Sequence, residues 1–172
     1  MMRNVRIRPE AASDIDAIRR VNEAAFGQPG EARLVDALRE RATPFLSFVA
    51  EDGGAIVGHI CFTPVTVQGT GEAIILGLAP MAVLPERQNQ GIGTQLVEAG
   101  LDACRRAGYG AVVVLGHPEY YPRFGFEPAA PKGLRSEYDV PDEVFMLLEL
   151  VPGAATELEG TARYHRAFRD FV

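Results

Sequence analysis

Cysteine is scarce in these 172 residues: there are two, Cys61 and Cys104, in apolar segments far apart in the chain. Such a pair reads as buried free thiols, the ordinary state in a reducing compartment, and not as a disulfide or a metal site. Long apolar runs are missing too, and none approaches the roughly 20 residues that a membrane-crossing helix needs. The opening Met1-Met2-Arg3-Asn4-Val5 passes straight into a strand-like segment without a signal-peptide core. Together these features predict a cytoplasmic protein with no membrane partner. Positive charge is in the minority. Seventeen Lys and Arg against 23 Asp and Glu leave a net charge of −6, which argues against a nucleic-acid binder and leans weakly toward cationic partners. No repeat, low-complexity tract or linker divides the chain, so one domain over residues 1–172 is expected.

What is present is a meander of strands followed by a strand–helix–strand unit. Val5-Arg6-Ile7-Arg8 alternates and reads as a first strand stopped by Pro9. Ser13 is placed to cap a helix, with Asp16 in its first turn and Ile15, Ile18, Val21, Asn22, Ala25 and Phe26 along its apolar-leaning face. Gly27-Gln28-Pro29-Gly30 breaks it, and a second helix runs from Glu31 to Arg41 with Leu34, Val35 and Leu38 inward. Phe45 to Glu51 and Ala55 to Phe62 form a hairpin about Asp52-Gly53-Gly54. Thr63-Pro64 interrupts before Val65-Thr66-Val67, and Gln68-Gly69-Thr70-Gly71 makes the next turn. Ile74 to Val83 reads as a central buried strand and Ala111 to Leu115 as one buried on both faces. The helix between them ends at Gly108, so the two strands should be parallel and joined right-handedly. A loop-rich span reaches Pro141, Glu143 to Val151 is another strand, Pro152-Gly153 opens a connection, and Thr161 to Phe171 supplies a last strand or edge. The fold class is α/β (α+β), a mixed sheet flanked by helices.

One stretch carries the chemistry. The strand ending Met81-Ala82-Val83 is followed by the polar loop Pro85 to Gln90, and Gly91 then opens a helix. Ile92, Leu96, Val97, Gly100, Leu101 and Cys104 fall on one side of that helix, with Gln95, Glu98, Asp102, Arg105 and Arg106 on the other. The first turn of a helix presents unpaired N–H groups and the positive end of its dipole. Because Gly91 and Gly93 lack side chains, a bulky anion can come close, and the stretch reads as a diphosphate cradle. The third glycine of a dinucleotide fingerprint is absent, as is the Gly-Lys-Ser/Thr ending of a P-loop, which disfavours other nucleotide-binding classes.

Gln88-x-x-Gly91-x-Gly93, after an apolar strand and before an amphipathic helix, resembles the acetyl-CoA-binding motif of the GNAT family of N-acetyltransferases, which reads Gln/Arg-x-x-Gly-x-Gly/Ala. Tyr120-Tyr121-Pro122-Arg123-Phe124-Gly125-Phe126 resembles that family's later Tyr-x-x-x-Gly-Phe element. The similarity covers nearly the whole chain, and Gly160 to Phe168 reads like the same region of the small bacterial YhbS-like branch.

The resemblance implies a mostly antiparallel mixed sheet whose central parallel strands splay apart near Met81-Ala82-Val83. The pantetheine arm would then bond to the backbone of Met81, Ala82 and Val83 like an added strand. One of those N–H groups would polarise the thioester carbonyl. Gln88, Asn89 and the backbone of Gln90, Gly91, Ile92, Gly93 and Thr94 would hold the diphosphate. Arg87 reads as solvated, with a phosphate contact as its alternative. Tyr121, four residues before Gly125, stands where the family places its proton donor, with Tyr120 as its rival; a phenol of pKa about 10 stays protonated at neutral pH. The alternative for Tyr121 is packing among Phe124 and Phe126.

The base does not carry over, since Val112-Val113-Val114-Leu115 offers no carboxylate. Ordered water, His117 and Glu86 remain open for it, while His59 reads as a hydrogen-bonded structural residue. The first two helices would wall the acceptor cleft, where Glu31, Arg33 and Asp36 either meet substrate or form a solvated face. The expected activity is direct acetyl transfer from acetyl-CoA to a primary amine in a ternary complex, without a metal and without a covalent enzyme intermediate. The competing account is a CoA-binding regulatory module without turnover. The acceptor amine, and the choice between monomer and homodimer, stay open.

Overall fold

A computed structural model describes residues 4–68, 74–156 and 158–172. The opening Met1-Met2-Arg3 and the expected turn at Gly69-Thr70-Gly71 lie outside the described residues. Strand β1 (Arg6–Pro9) leads through a short 3-10 turn into helices α1 (Ile15–Phe26) and α2 (Gly30–Arg41). Then come β2 (Leu46–Asp52), β3 (Ala55–Gln68), β4 (Ile74–Val83), helix α3 (Ile92–Arg106) and β5 (Ala111–Leu115). The remainder carries β6 (Glu127–Pro128), β7 (Leu134–Ser136), β8 (Phe145–Glu149), β9 (Gly160–Arg163) and helix α4 (Ala167–Phe171). The strands form one mixed sheet in the order β1-β2-β3-β4-β5-β8-β6, with β9 pairing β3 and β7. All described pairings are antiparallel except β4–β5 and β7–β9.

Strand alternation builds two apolar layers. Ile60, Phe62, Leu76, Leu78, Val112 and Val114 face α3, whose Ile92, Leu96, Val97, Leu101 and Cys104 pack on them. Cys61, Val65, Ile75 and Val113 point the other way, onto Ile18, Leu34, Val35 and Leu38 of α1 and α2 and onto Tyr164 and Phe168. A strand sandwiched between both layers has no polar face to show, which is why Ala111 to Val114 is wholly apolar and wholly buried. Helix α3 closes as its sequence predicts: Gly108 adopts φ 91°, and the Gly108 and Tyr109 N–H groups donate to the Arg105 and Cys104 carbonyls at 3.0 and 3.1 Å.

Four local expectations are corrected. Pro9 belongs to β1 as its last residue, paired with Phe48. Asp14, not Ser13, organises the start of α1. Its carboxylate accepts the Ala11 N–H at 2.6 Å and is gripped by Arg8 at 2.7 Å, and no side-chain hydrogen bond caps α1 itself. Pro64 does not interrupt: β3 runs through it, because one neighbour of β3 ends at Phe62 (β2) and the next begins at Thr66 (β9). A missing donor is tolerated at such a break. The closing segment forms both a strand and a helix, α4 folding back onto α2.

His59 is structural, as expected, and sits at the centre of a buried chain. Asn22 Nδ2 meets its Nδ1 at 3.3 Å, and its Nε2 meets Ser47 Oγ at 2.9 Å. The Ser47 hydroxyl donates to Glu10, which Arg39 grips at 2.6 and 3.1 Å. Burial pushes the imidazole down to about 4, the Glu10 charge opposing only in part. The unfolded chain protonates His59 near its ordinary 6.5, so between these values it takes up a proton that the folded chain refuses. The stability contributed by His59 is therefore complete above about pH 6.5 and is lost as pH falls toward 4. At about 1.4 kcal/mol per pKa unit, roughly 2 kcal/mol is gone by about pH 5. Urea denaturation at pH 7, 6 and 5 measures it; a midpoint constant across that range contradicts the assignment.

Candidate active site

The β3–β4 ladder pairs Ile60 with Met81 and Phe62 with Leu78, so Ala79 and Pro80 together stand opposite Cys61. This bulge bends β4. Before it, β4 pairs with β5 at Leu76–Val112 and Gly77–Val113; beyond it, no described pairing joins the two strands, although β5 continues along β8 to Leu115. A gap therefore opens between Leu78–Val83 and the end of β5, where the resemblance implied one.

Cavities lie at this gap. One, of about 590 Å³, is lined by Met81, Val83, Gln88, Asn89, Gly91, Ile92, Gly93 and Thr94, together with Arg87, His117, Tyr120, Tyr121 and Arg123. It thus gathers the predicted cofactor residues except Ala82 and Gln90. The Ala82 side chain is buried in the sheet. The Gln90 amide is turned back, donating to the Glu86 carbonyl at 3.3 Å and accepting from Arg87 Nε at 3.1 Å. Glu86 does not line this cavity, whereas His117 does.

The cradle geometry follows from backbone conformation. Asn89 and Gly91 adopt φ 62° and 85°, left-handed values that curl the loop into the helix head. Gly91 leaves α3 without a side-chain cap, so the first-turn amides of Ile92, Gly93 and Thr94 have no described protein acceptor. Gln88 secures the loop by donating to the Val83 carbonyl at 3.0 Å. Arg87, read from sequence as solvated, is instead paired with Asp52 at 2.9 Å.

The two tyrosines separate clearly. Tyr120 shares a hydrogen bond of 2.9 Å with Thr94 Oγ1, and the Arg123 guanidinium lies 4.3 Å over its ring. Its hydroxyl is committed to the helix head. The Tyr121 hydroxyl has no described protein partner, and its ring packs edge-on against Tyr120 and Phe126 at 5.0 and 5.7 Å. Burial pushes its phenol up to about 12. Packing and an available hydroxyl thus coexist in Tyr121. A second cavity, of about 560 Å³, lies toward α1, α2 and α4, and Met81 and Tyr121 line both.

Sequence reasoning passed over Gly116. A Cβ there would stand 2.3 Å from Tyr121 Cε2, so only glycine lets the ring lie flat against the chain after β5. The Gly116-His117-Pro118 run at a strand end was the available signal. Gly116→Ala should displace the Tyr121 ring and lower turnover about tenfold, with the affinity of the helix-head cavity for its anion nearly unchanged. Steady-state kinetics beside calorimetric binding checks this; full turnover in the variant contradicts it.

Neither cysteine offers a nucleophile. Both are buried, and burial raises both thiols, Cys104 to about 12.

Residues 6–129 match the family described as Acetyltransferase (GNAT) domain. The chain is 39% identical over 166 residues, 96% of its own length and 99% of the relative's, to the uncharacterized N-acetyltransferase YhbS of Escherichia coli. It is 45% identical over 135 residues, 76% of this chain and 75% of the relative, to the uncharacterized N-acetyltransferase YjhQ of the same species. The solved structure of E. coli YhbS in complex with CoA superposes with a TM-score of 0.92 at 37% identity, covering 100% of this chain and 96% of that one. A GNAT family acetyltransferase of Brucella melitensis in complex with acetyl-CoA gives 0.79 at 37% identity over 97% and 99% of the two chains. Family match, sequence identity and backbone superposition agree over most or all of the chain, and the chain belongs to the GNAT acetyltransferase family.

Proposed function

We propose that residues 1–172 act as one cytoplasmic N-acetyltransferase domain that moves an acetyl group from acetyl-CoA to a primary amine by direct attack in a ternary complex. The observation that carries this reading is the position of Tyr121 and Met81 on the shared boundary of the two cavities. It supports a thioester arriving from the helix-head side and an amine from the α1–α2 side. The relatives solved with CoA and acetyl-CoA support the choice of donor, and the two buried thiols suit a reducing compartment.

The residues present fit such a donor. Uncapped amides of Ile92, Gly93 and Thr94 would take the diphosphate, with Gly91 and the Gln88–Asn89 loop around it and the backbone N–H of Gln90 beside them. The free edge of β4 at Met81, Ala82 and Val83 would hold the pantetheine amides, and one N–H there would orient and polarise the carbonyl. Acetyl-CoA supplies the activated carbonyl carbon. Tyr121 donates its hydroxyl hydrogen bond to the sulfur as the carbon–sulfur bond breaks, and the amine nitrogen gives up its proton to water or to His117. Because burial pushes the Tyr121 phenol up to about 12, it stays protonated through the working range. Activity should therefore climb with pH as the amine loses its proton, and no falling limb from Tyr121 should appear below about pH 11.

CoA release across a panel of amines tests the reading. Turnover with any primary amine supports it. Thermal stabilisation by CoA with no turnover on any amine replaces it with the regulatory module.

A further inference from the structure

We infer that the acceptor is an aryl-alkyl primary amine that carries no carboxylate, and that it is held in the cavity beneath α1, α2 and α4. This rests on the acetyl-transfer reading above. The cavity measures about 560 Å³, a volume that takes a one- or two-ring molecule. Its wall is apolar and aromatic: Leu34, Tyr138, Val140, Tyr164 and Phe168 surround it, with Tyr164 set between Tyr138 at 6.1 Å and Phe168 at 5.3 Å. Phe26 is 40% exposed and Val172 59% exposed at its rim. They are two of the three large hydrophobic side chains that the described surface leaves exposed, so the apolar character of this cavity continues to its mouth.

Glu31 is the one charged side chain in that lining. Gln28 donates to it at 3.0 Å, and no described Lys, Arg or His pairs with it. Glu10, Asp16 and Asp36, toward the other end of the α1–α2 hairpin, each have an arginine. A half-buried side-chain carboxylate without an ion-pair partner attracts an incoming ammonium and repels a second carboxylate. Glu31 offers its side chain to one ammonium, and the further ammonium groups of a polyamine would leave water for a largely apolar wall.

The test measures kcat/KM for 2-phenylethylamine, tryptamine, phenylalanine and spermidine with acetyl-CoA, beside the thermal midpoint of the CoA-loaded protein with each amine. The two aryl-alkyl amines should exceed phenylalanine and spermidine by at least about tenfold in kcat/KM and should alone raise the midpoint. Glu31→Gln should raise KM for 2-phenylethylamine several-fold and narrow the gap to phenylalanine, with kcat little changed. Phe26→Ala, at an exposed position, should raise KM in the same way. Spermidine or phenylalanine as the best acceptor overturns the inference. So does faster use of hexanoyl-CoA than acetyl-CoA, which would give the cavity to an acyl chain. If no amine is turned over, the transfer reading fails separately, and the midpoint shifts still decide whether this cavity selects aryl-alkyl amines.

Discussion

Tyr121→Phe is expected to lower turnover by about a hundredfold while leaving acetyl-CoA affinity within about twofold, in line with what a positioned proton donor contributes. The two effects separate because the ring and the hydroxyl do different work. The ring fills space against Tyr120, Phe126 and the Gly116 backbone, and phenylalanine keeps that packing. The hydroxyl has no described protein partner, so its removal orphans nothing and should cost little stability. What is lost is the donor at the boundary of the two cavities. Tyr120→Phe provides the contrast. It breaks the bond to Thr94 at the helix head and should act on acetyl-CoA affinity more than on turnover. Stopped-flow or steady-state CoA release, paired with calorimetric binding, reads both. Unchanged turnover in Tyr121→Phe removes this residue from the chemistry.

Gly93→Asp should abolish most acetyl-CoA binding, with affinity falling about a hundredfold, a loss near 3 kcal/mol. Thermal stability of the free protein should not fall. A Cβ at Gly93 would meet Met81 Cε at 3.5 Å and Tyr120 Oη at 3.6 Å, ordinary contacts that need no rearrangement. An acidic side chain in the first turn of α3 interacts favourably with the helix dipole, and replacing a helical glycine helps further. The same charge would sit among the amides offered to a diphosphate and repel it. A variant that is as stable as its parent yet blind to acetyl-CoA isolates the anion site from folding. Retained affinity would mean that the diphosphate lies elsewhere.

Much of this site was legible because its signals are local. Gln88-x-x-Gly91-x-Gly93 after an apolar strand fixes a helix start whose geometry depends on two or three backbone torsions, and Gly91 adopts the left-handed value that only glycine takes cheaply. The long apolar runs of β3 and β4 and the wholly apolar β5 likewise declare their burial. Less legible were features set by neighbours distant in sequence. Pro64 reads as a breaker by itself and becomes harmless only because β2 stops and β9 starts beside it. Ser13 has the composition of a cap, yet Asp14 takes the position before α1 and its carboxylate is drawn back to Arg8 of β1. Asn22 looks like a flaw in an apolar face until His59 on β3 meets it. The cavity beneath α1, α2 and α4 is the extreme case, its wall drawn from α1, α2, β4, the end of β5, the span after β7 and α4. No window of sequence holds those residues together, and the split between Tyr120 and Tyr121 likewise required knowing where Thr94 lies.

A crystal structure of this chain with acetyl-CoA tests the central claim most directly. The account predicts the diphosphate against the amides of Gln90 to Thr94, the pantetheine along Met81 to Val83, and the sulfur within hydrogen-bonding reach of the Tyr121 hydroxyl, its acyl carbon facing the apolar cavity. A diphosphate bound away from the head of α3, or a thioester turned away from Tyr121, would contradict it.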